Sequence, residues 1–551
     1  MHKRMAQVGV WVWACALLLG LPRTTVAAPQ AFAFLAGFPR TEFYGASNSS
    51  PAIVDLNNDG KLEILIADTN GCVWAWDRQG NVLANFPLKT NGACSYTPRI
   101  DGPLAIGDMD GDGTLEIVAG TRGVSNTLGQ RGKVFVWRAN GAPVAGWPQE
   151  MFWSPDPEPS NLAEVYTVAL GNVTGDAKLE IVAGTSNNSL SETCGENVYA
   201  WQTSGTLVSG FPTKYRGAGI WGYVAVADLT GDGLAEIITG RDQLYLHAYR
   251  ADGTPLAGWP ARTYVDPTKT NYDADKYMEY TTGAPTIGDL DNDGTPEIVI
   301  AGRVRDPLQG HTWTQNGLLV LEPNGSRRAG WTLIKLAGAP LYDLIPSKQA
   351  VALADLDADG KLEIVVPFAD GTVRAYRENG TQAWTYNYAQ GRHLFASEPV
   401  IGDVTGDSKA DVVFGTYSPD ATANAYVSVI GLDSNGNPLA NFPLALPNEK
   451  ASQELHGIRG GLALGDLNGD GTVEIAAASF GGALYVWTTG VAYQPSTMKW
   501  QMSRHDLYRS GSVTGGLHKP AVALARAVSA TTYTYLPFIT RAGGQTTTGC
   551  F

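Results

Sequence analysis

A nine-residue acidic phrase recurs eight times along this chain. It reads "DLNNDGKLE" from Asp55, "DMDGDGTLE" from Asp108, "NVTGDAKLE" from Asn172, "DLTGDGLAE" from Asp228, "DLDNDGTPE" from Asp289, "DLDADGKLE" from Asp355, "DVTGDSKAD" from Asp403 and "DLNGDGTVE" from Asp466. Successive starts lie 53, 64, 56, 61, 66, 48 and 63 residues apart. A repeat of this length is one small structural unit, which buries its apolar residues only by stacking against its neighbours.

The grammar inside each unit specifies the element type. A short apolar run such as "PLAIGD" or "GLALGD" precedes the acidic phrase, and a second run such as "EIVAG" or "EIVVP" follows it. A third stretch is rich in aromatic and β-branched residues at alternate positions, as in "CVWAW", "KVFVW" and "TVRAY"; that period of two belongs to a strand. Turn signals "RANG", "RADG", "EPNG", "RENG" and "DSNG" come next, followed by a fourth stretch carrying "AGWP", "SGFP", "ANFP" or "AGWT". Asn-Gly and Asp-Gly between apolar runs are hairpin chemistry. Four antiparallel strands per unit, in series and without amphipathic helices, predict an all-β chain folded as a single β-propeller. Eight four-stranded blades are expected, with seven as the alternative. The chain opens on "FLAGFPRT" at 34–41, a fourth strand with no preceding three, and the last unit ends at "ALYVW" with no fourth strand. The N-terminal strand is therefore expected to close the ring and protect the sheet edge.

The acidic phrase places oxygen-bearing side chains at alternate positions of a tight turn, with glycine usually sixth. Hard cations such as Ca²⁺ take six to eight oxygens. An EF-hand puts a bidentate Glu at position twelve; here position twelve is apolar (Ile66, Ala119, Ile300) and the acid stands at position nine (Glu63, Glu116, Glu297). The alternative is a set of Asx-rich turns without metal.

The acidic loop, the strand after it and the G-[FW]-P stretch together resemble the FG-GAP/VCBS repeats of bacterial secreted proteins and integrin α-subunit head domains, over roughly residues 33–487. The resemblance implies structural Ca²⁺ held by side chains at positions one, three, five and nine. Those are Asp55, Asn57, Asp59 and Glu63; Asp108, Asp110, Asp112 and Glu116; Asp228, Thr230, Asp232 and Glu236; Asp289, Asp291, Asp293 and Glu297; Asp355, Asp357, Asp359 and Glu363; Asp403, Asp407 and Asp411; Asp466, Asn468, Asp470 and Glu474. The loops at Asp108, Asp289 and Asp355 have four carboxylates each and are expected to bind best. Thr405 and Ser408 weaken the Asp403 loop, and the loop at Asn172, with Ala177 in place of glycine, is expected to hold no metal.

The formal charge is −14, and 26 of the 53 acidic residues lie in the eight phrases. Without cations these patches would repel themselves. There is no basic run, so nucleic acid is excluded as a partner. His2, Lys3 and Arg4, the apolar run 8–21 and the small residues Thr25, Val26 and Ala27 form a secretory signal peptide, 1–27. No later segment is long and apolar enough to span a membrane, and a monomeric secreted or cell-surface protein is expected. Cys72 and Cys94 lie within one repeat and form the expected disulfide in an oxidising compartment. The propeller is assigned to 28–490, a capping segment to 491–518 with Trp500 and Met502 anchored on the ring, and a tail of unassigned role to 519–551.

Alternating strand direction puts the acidic loops and Asn-Gly turns on one face and the long, variable loops on the other. Variable loops on a rigid scaffold are where binding concentrates. Trp153, Trp221, Tyr272, Tyr277 and Trp313 lie in them, and aromatic rings there suit an extracellular glycan or protein; the alternative is loop-on-loop packing. The function expected is a non-catalytic calcium-binding adhesion or ligand-binding scaffold. The competing expectation is a calcium-dependent polysaccharide lyase-like enzyme using Arg392, His393, His456 and Arg459 at the central mouth.

Overall fold

The computed structural model describes residues 32–513 except 96–97, 125–128, 153–162, 187–190, 218–219, 221, 242–243, 280–282, 341–349, 421–425, 448 and 450–454. The segment read as a signal peptide and the tail 519–551 lie outside the described residues, as do Trp153 and Trp221.

The second blade shows how each unit is built. Its strands are Ala105–Gly107, Glu116–Gly120, Lys133–Arg138 and Gln149–Glu150, antiparallel and in chain order from the axis outward. The middle strands are apolar because both faces are covered: Ile117, Val118, Ala119 and Val134 have no exposed surface. Such strands read as continuous apolar runs rather than as alternation. Seven further sheets repeat the plan, giving eight blades in a ring. Helical structure among the described residues is confined to single 3-10 turns such as Pro307–Gln309 and Pro495–Thr497.

Adjacent blades are locked through the G-[FW]-P signature. Trp147 Nε1 donates to Thr203 O at 2.7 Å, Trp259 Nε1 to Pro323 O at 2.8 Å and Trp331 Nε1 to Glu378 O at 2.8 Å, each carbonyl lying in the turn of the following blade. Gly146 has φ +89°, and a Cβ there would stand 2.2 Å from Ser204 O. Glycine is needed for both the conformation and the approach. Gly37 makes the same contact with Gln79 O of the first blade, 2.0 Å from where its Cβ would be. Ala33–Phe34 pairs with Trp487 and Thr488 of the last blade, and Arg40 bridges Leu484. The eighth sheet thus takes its outer strand from the N-terminal side of the ring.

In blades 3 and 5 the second and third strands run beyond the short apolar runs of the repeat. In blade 5, Glu297–Asp306 and Thr312–Leu321 pair along their length, with a register shift between Val304 and Arg305. In blade 3, Ile181–Gly184 pairs with Val198–Trp201, and the earlier part of the third strand, Ser191–Glu196, pairs with the fourth strand, Thr213–Gly217. The ladder satisfies backbone donors that a loop would leave to water.

The axis is filled by the chain itself. Residues 499–513 run inside the ring and hydrogen-bond to the inner strands of blade after blade: Ile401 N to Trp500 O, Leu464 N to Gln501 O, Ile106 N to Leu507 O, Leu170 N to Tyr508 O, Val226 N to Ser510 O and Ile287 N to Gly511 O. Glycines that end the inner strands make room. A Cβ at Gly107 would stand 2.7 Å from the Tyr508 ring, and one at Gly288 would stand 2.5 Å from Val513. Trp500 is fully buried and Met502 nearly so. The segment also carries charge inward. Glu398 accepts from Ser503 Oγ at 2.6 Å and from the Arg504 backbone N–H at 2.7 Å. Arg504 Nη1 donates to Thr286 Oγ1 at 3.2 Å, and Arg509 reaches Leu104 O at 2.6 Å and Ser503 O at 2.7 Å.

Candidate functional site

Each acidic loop is shaped by its own carboxylates. The first Asp accepts from backbone N–H groups four and five residues on: Asp108 Oδ1 from Asp112 at 3.1 Å and Oδ2 from Gly113 at 2.9 Å, Asp355 from Asp359 at 3.2 Å and Gly360 at 3.0 Å. The fifth-position Asp accepts two residues on, as Asp112 does from Thr114 at 2.7 Å. Asx side chains bonding local N–H groups are what nucleate such turns. The ninth-position acid begins the second strand and folds one oxygen back onto the backbone N–H of position two. Glu63 meets Leu56 at 2.9 Å, Glu116 meets Met109 at 3.0 Å, Glu236 meets Leu229 at 2.8 Å and Glu363 meets Leu356 at 2.9 Å.

That clamp leaves the other oxygen of the ninth-position acid inside the loop. Glu116 is fully buried and Glu363 is 2% exposed. Their Oε1 atoms have no hydrogen-bond partner, and neither does Asp466 Oδ1. Burial is the main cause that pushes the carboxyls of Glu63, Glu116, Glu236, Glu363, Asp411 and Glu474 up to about 7, with neighbouring carboxylates adding to it. A buried anion without a partner is costly, and a cation among these oxygens removes that cost.

In three loops the carboxylates converge closely enough to hold a metal ion: Asp108, Asp110 and Glu116; Asp289, Asp291 and Glu297; Asp355, Asp357 and Asp359, with one ligand oxygen from each within 4.8 Å of the others. These are the loops with four acids. The Asn172 loop is closed from within instead. Thr174 Oγ1 donates to Glu180 Oε1 at 2.9 Å while Val173 N–H and Thr174 N–H donate to Oε2 at 2.8 and 3.0 Å. Thr405 Oγ1 does likewise to Asp411 at 3.0 Å. In these two loops a hydroxyl stands where the richer loops have an acid or amide.

Sequence reasoning missed the arginines that approach these loops from the end of the third strand and from the segment between the hairpin turn and the fourth strand. Arg138 Nη1 lies 3.1 Å from Asp112 Oδ2 and 3.7 Å from Glu116 Oε1. Arg377 lies 3.7 Å from Asp357, and Arg328 bonds Asp291 and Glu297.

On the opposite face, the predicted aromatics divide. Tyr277 has no exposed surface, and its ring packs 5.2 Å from Tyr272. Trp313 Nε1 donates to Glu279 at 2.7 Å, and the ring lies under Arg303 at 3.7 Å and Arg305 at 4.7 Å. These two rings are engaged internally. Tyr272 presents 42% of its surface to solvent, backed by Tyr277 and by His311 at 5.0 Å. Of the residues considered for catalysis, His456 is buried in a strand paired with Ser418, and the Arg392 guanidinium lies 4.0 Å from the Tyr426 ring. Cys72 and Cys94 are joined by a disulfide.

The family model for FG-GAP-like repeats matches residues 55–119 and 348–414, which carry the loops at Asp55, Asp108, Asp355 and Asp403. The chain is a β-propeller that carries FG-GAP-like repeats in these two regions. No curated protein matches it. Among solved structures, the FG-GAP propeller is similar to Saccharomyces cerevisiae Sqt1 (11% identity, 83% of this chain and 99% of that one, TM-score 0.50). It is also similar to BamB from Moraxella catarrhalis (15%, 81% and 98%, TM-score 0.43) and to the exotype rhamnogalacturonan lyase YesX (16%, 87% and 78%, TM-score 0.43). Likeness at these identities describes the propeller fold and assigns no activity.

Proposed function

We propose that this FG-GAP propeller is an exported, monomeric, non-catalytic scaffold, stabilised by calcium, that binds an extracellular glycan or protein on the face away from its acidic loops. The observation that carries the calcium reading is that Glu116 Oε1 and Glu363 Oε1 are buried without a hydrogen-bond partner in loops whose converging ligands are all oxygens. Oxygen donors without nitrogen or sulfur favour a hard cation over zinc or copper. Asp108, Asp110 and Glu116, and Asp355, Asp357 and Asp359, would hold the ion, which would neutralise the loop and tie the first two strands of the blade together.

Export is supported by the N-terminal segment 1–27 and by the Cys72–Cys94 disulfide. No helix among the described residues is long and apolar enough to cross a membrane. The non-catalytic reading is supported by the axis, where residues 499–513 hydrogen-bond to the inner strands and take up the centre of the ring. Of the aromatics predicted for the ligand face, Tyr272 is the described one that presents its ring to solvent.

One purified sample tests both halves. Calcium counting by equilibrium dialysis and a melting curve with and without EGTA test the metal. A glycan array run beside an assay for unsaturated sugar products tests the function. Product formation that Arg392→Ala and His393→Ala both abolish would move the protein to the lyase alternative.

A further inference from the structure

The acidic loop of blade 5 has as many carboxylates as those of blades 2 and 6, and its chemistry is different. The difference starts between the hairpin turn and the fourth strand, at the residue whose backbone N–H meets the centre of the third strand. In five blades that residue is aliphatic: Leu83 on Ala75 O, Val144 on Val136 O, Val208 on Ala200 O, Leu256 on Ala248 O and Leu439 on Gly431 O. In blade 5 it is Arg328, whose N–H meets Val320 O. Arg328 is 8% exposed, so its side chain runs inward under the loop as the aliphatic ones do. It ends among three carboxylates. Nη1 bonds Glu297 Oε1 and lies 3.4 Å from Glu322 Oε1, and Nη2 bonds Asp291 Oδ2.

The atom it takes is the decisive one. In blades 2 and 6 the ninth-position Oε1 is buried and has no hydrogen-bond partner, whereas in blade 5 that oxygen belongs to the guanidinium. Arg138 is the instructive contrast. It reaches the blade 2 loop from solvent, with 37% of its side chain exposed, and leaves Glu116 Oε1 unbonded. A rigid fork of donors matches paired carboxylates, as a point charge does not. Asp289 bonds the N–H groups of Asp293 and Gly294 at 3.0 and 2.7 Å just as Asp108 and Asp355 do in their loops, and Asp291 Oδ1 stays free of hydrogen bonds, so the loop itself is built alike. What differs is that Asp291 Oδ2 and Glu297 Oε1 face a guanidinium whose positive charge stands where a divalent ion would have to enter.

We propose that Arg328 is a built-in counter-cation: it fills the blade 5 site and excludes the divalent ion that the blade 2 and blade 6 loops take. This rests on the calcium reading above for the other loops. It predicts that a single replacement between the hairpin turn and the fourth strand converts blade 5 into a metal site.

The test counts calcium bound to the full mature chain by equilibrium dialysis, together with melting midpoints in EGTA. Asp110→Asn and Asp357→Asn should each lose one ion, Asp291→Asn should lose none, and Arg328→Leu, which restores the residue type of the other blades, should gain one. In EGTA, Arg328→Leu should melt several degrees below Arg138→Leu, and calcium should return most of the loss. Loss of an ion in Asp291→Asn, or an unchanged count in a folded Arg328→Leu, overturns the proposal. If Arg328→Leu does not fold, Asp291→Asn decides. If the wild type binds no calcium, the calcium reading fails by itself; the counter-cation is then judged by the EGTA midpoints, and equal midpoints for the two arginine variants sink it.

Discussion

Along the axis, Glu398 is held by Ser503 and the Arg504 backbone, and its charge faces the buried side chains of Arg504 and Arg509. On the loop face, Glu116 and Glu363 are buried just as deeply and keep an oxygen with no partner. Both regions take charge out of water, which is costly unless an opposite charge or hydrogen bonds accompany it. The axis buries its counter-charges with the acid, whereas the loops at Asp108 and Asp355 have only the partly exposed Arg138 and Arg377 at their rims and leave their inner oxygens without a hydrogen-bond donor. Blade 5 combines the two, an acidic loop supplied with an arginine. On the calcium reading proposed above, the axial cluster ties stability to the chain alone, whereas the loops would make it a function of ion concentration.

The largest effect is expected on the axis. Glu398→Ala leaves Arg504 and Arg509 buried beside a missing anion, and breaking a buried charge cluster from one side costs about 3–5 kcal/mol. The loss should appear in the denaturation midpoint at saturating calcium and be unaltered by EGTA. A Glu398→Ala midpoint that calcium restores would erase the distinction between axis and loops.

Deletion of residues 28–41 should come next. It strips the outer strand from Leu484–Thr488 of the last blade and exposes a sheet edge, which promotes edge-to-edge association. Light scattering on heating is the measurement, and a truncation as soluble and stable as the parent would mean that the ring is held shut elsewhere.

Calcium removal should be smaller per site. An ion present at one hundred times its dissociation constant contributes about 2.7 kcal/mol, so EGTA should lower the melting midpoint, and Asp357→Asn should abolish part of that shift. Equal midpoints with and without EGTA would place the loops in the same class as the axis.

The smallest effect is expected at Asp176→Asn. Its loop is already closed by Thr174, and an exposed substitution of this kind stays within about 0.5 kcal/mol. A change in calcium count on this substitution would show that the threonine-closed loops also bind metal.

Much of this molecule is legible in the sequence because it is local and repeated. Eight copies of the acidic phrase fix the number of blades, since each copy sits at the same hairpin between first and second strands. Asp108, Asp289 and Asp355 head the loops whose carboxylates converge, because alternate positions of a tight turn point to one side whatever lies beyond it. The strand extensions of blades 3 and 5 were not legible, since polar residues such as those of 191–197 carry turn and loop signals that pairing with a neighbouring strand overrides.

By itself, then, the sequence determined the repeating unit, its four strands and the oxygen donors of its loops, all set by contacts within about ten residues. Only the tertiary structure decided what stands opposite each charge. Arg328 is 31 residues from Glu297, and Arg504 is 218 residues from Thr286. Nothing in the local pattern of either arginine says which carboxylate or carbonyl it will meet. That depends on where the ring brings distant strands together, because Coulomb attraction in a buried site follows distance through space and is indifferent to separation along the chain.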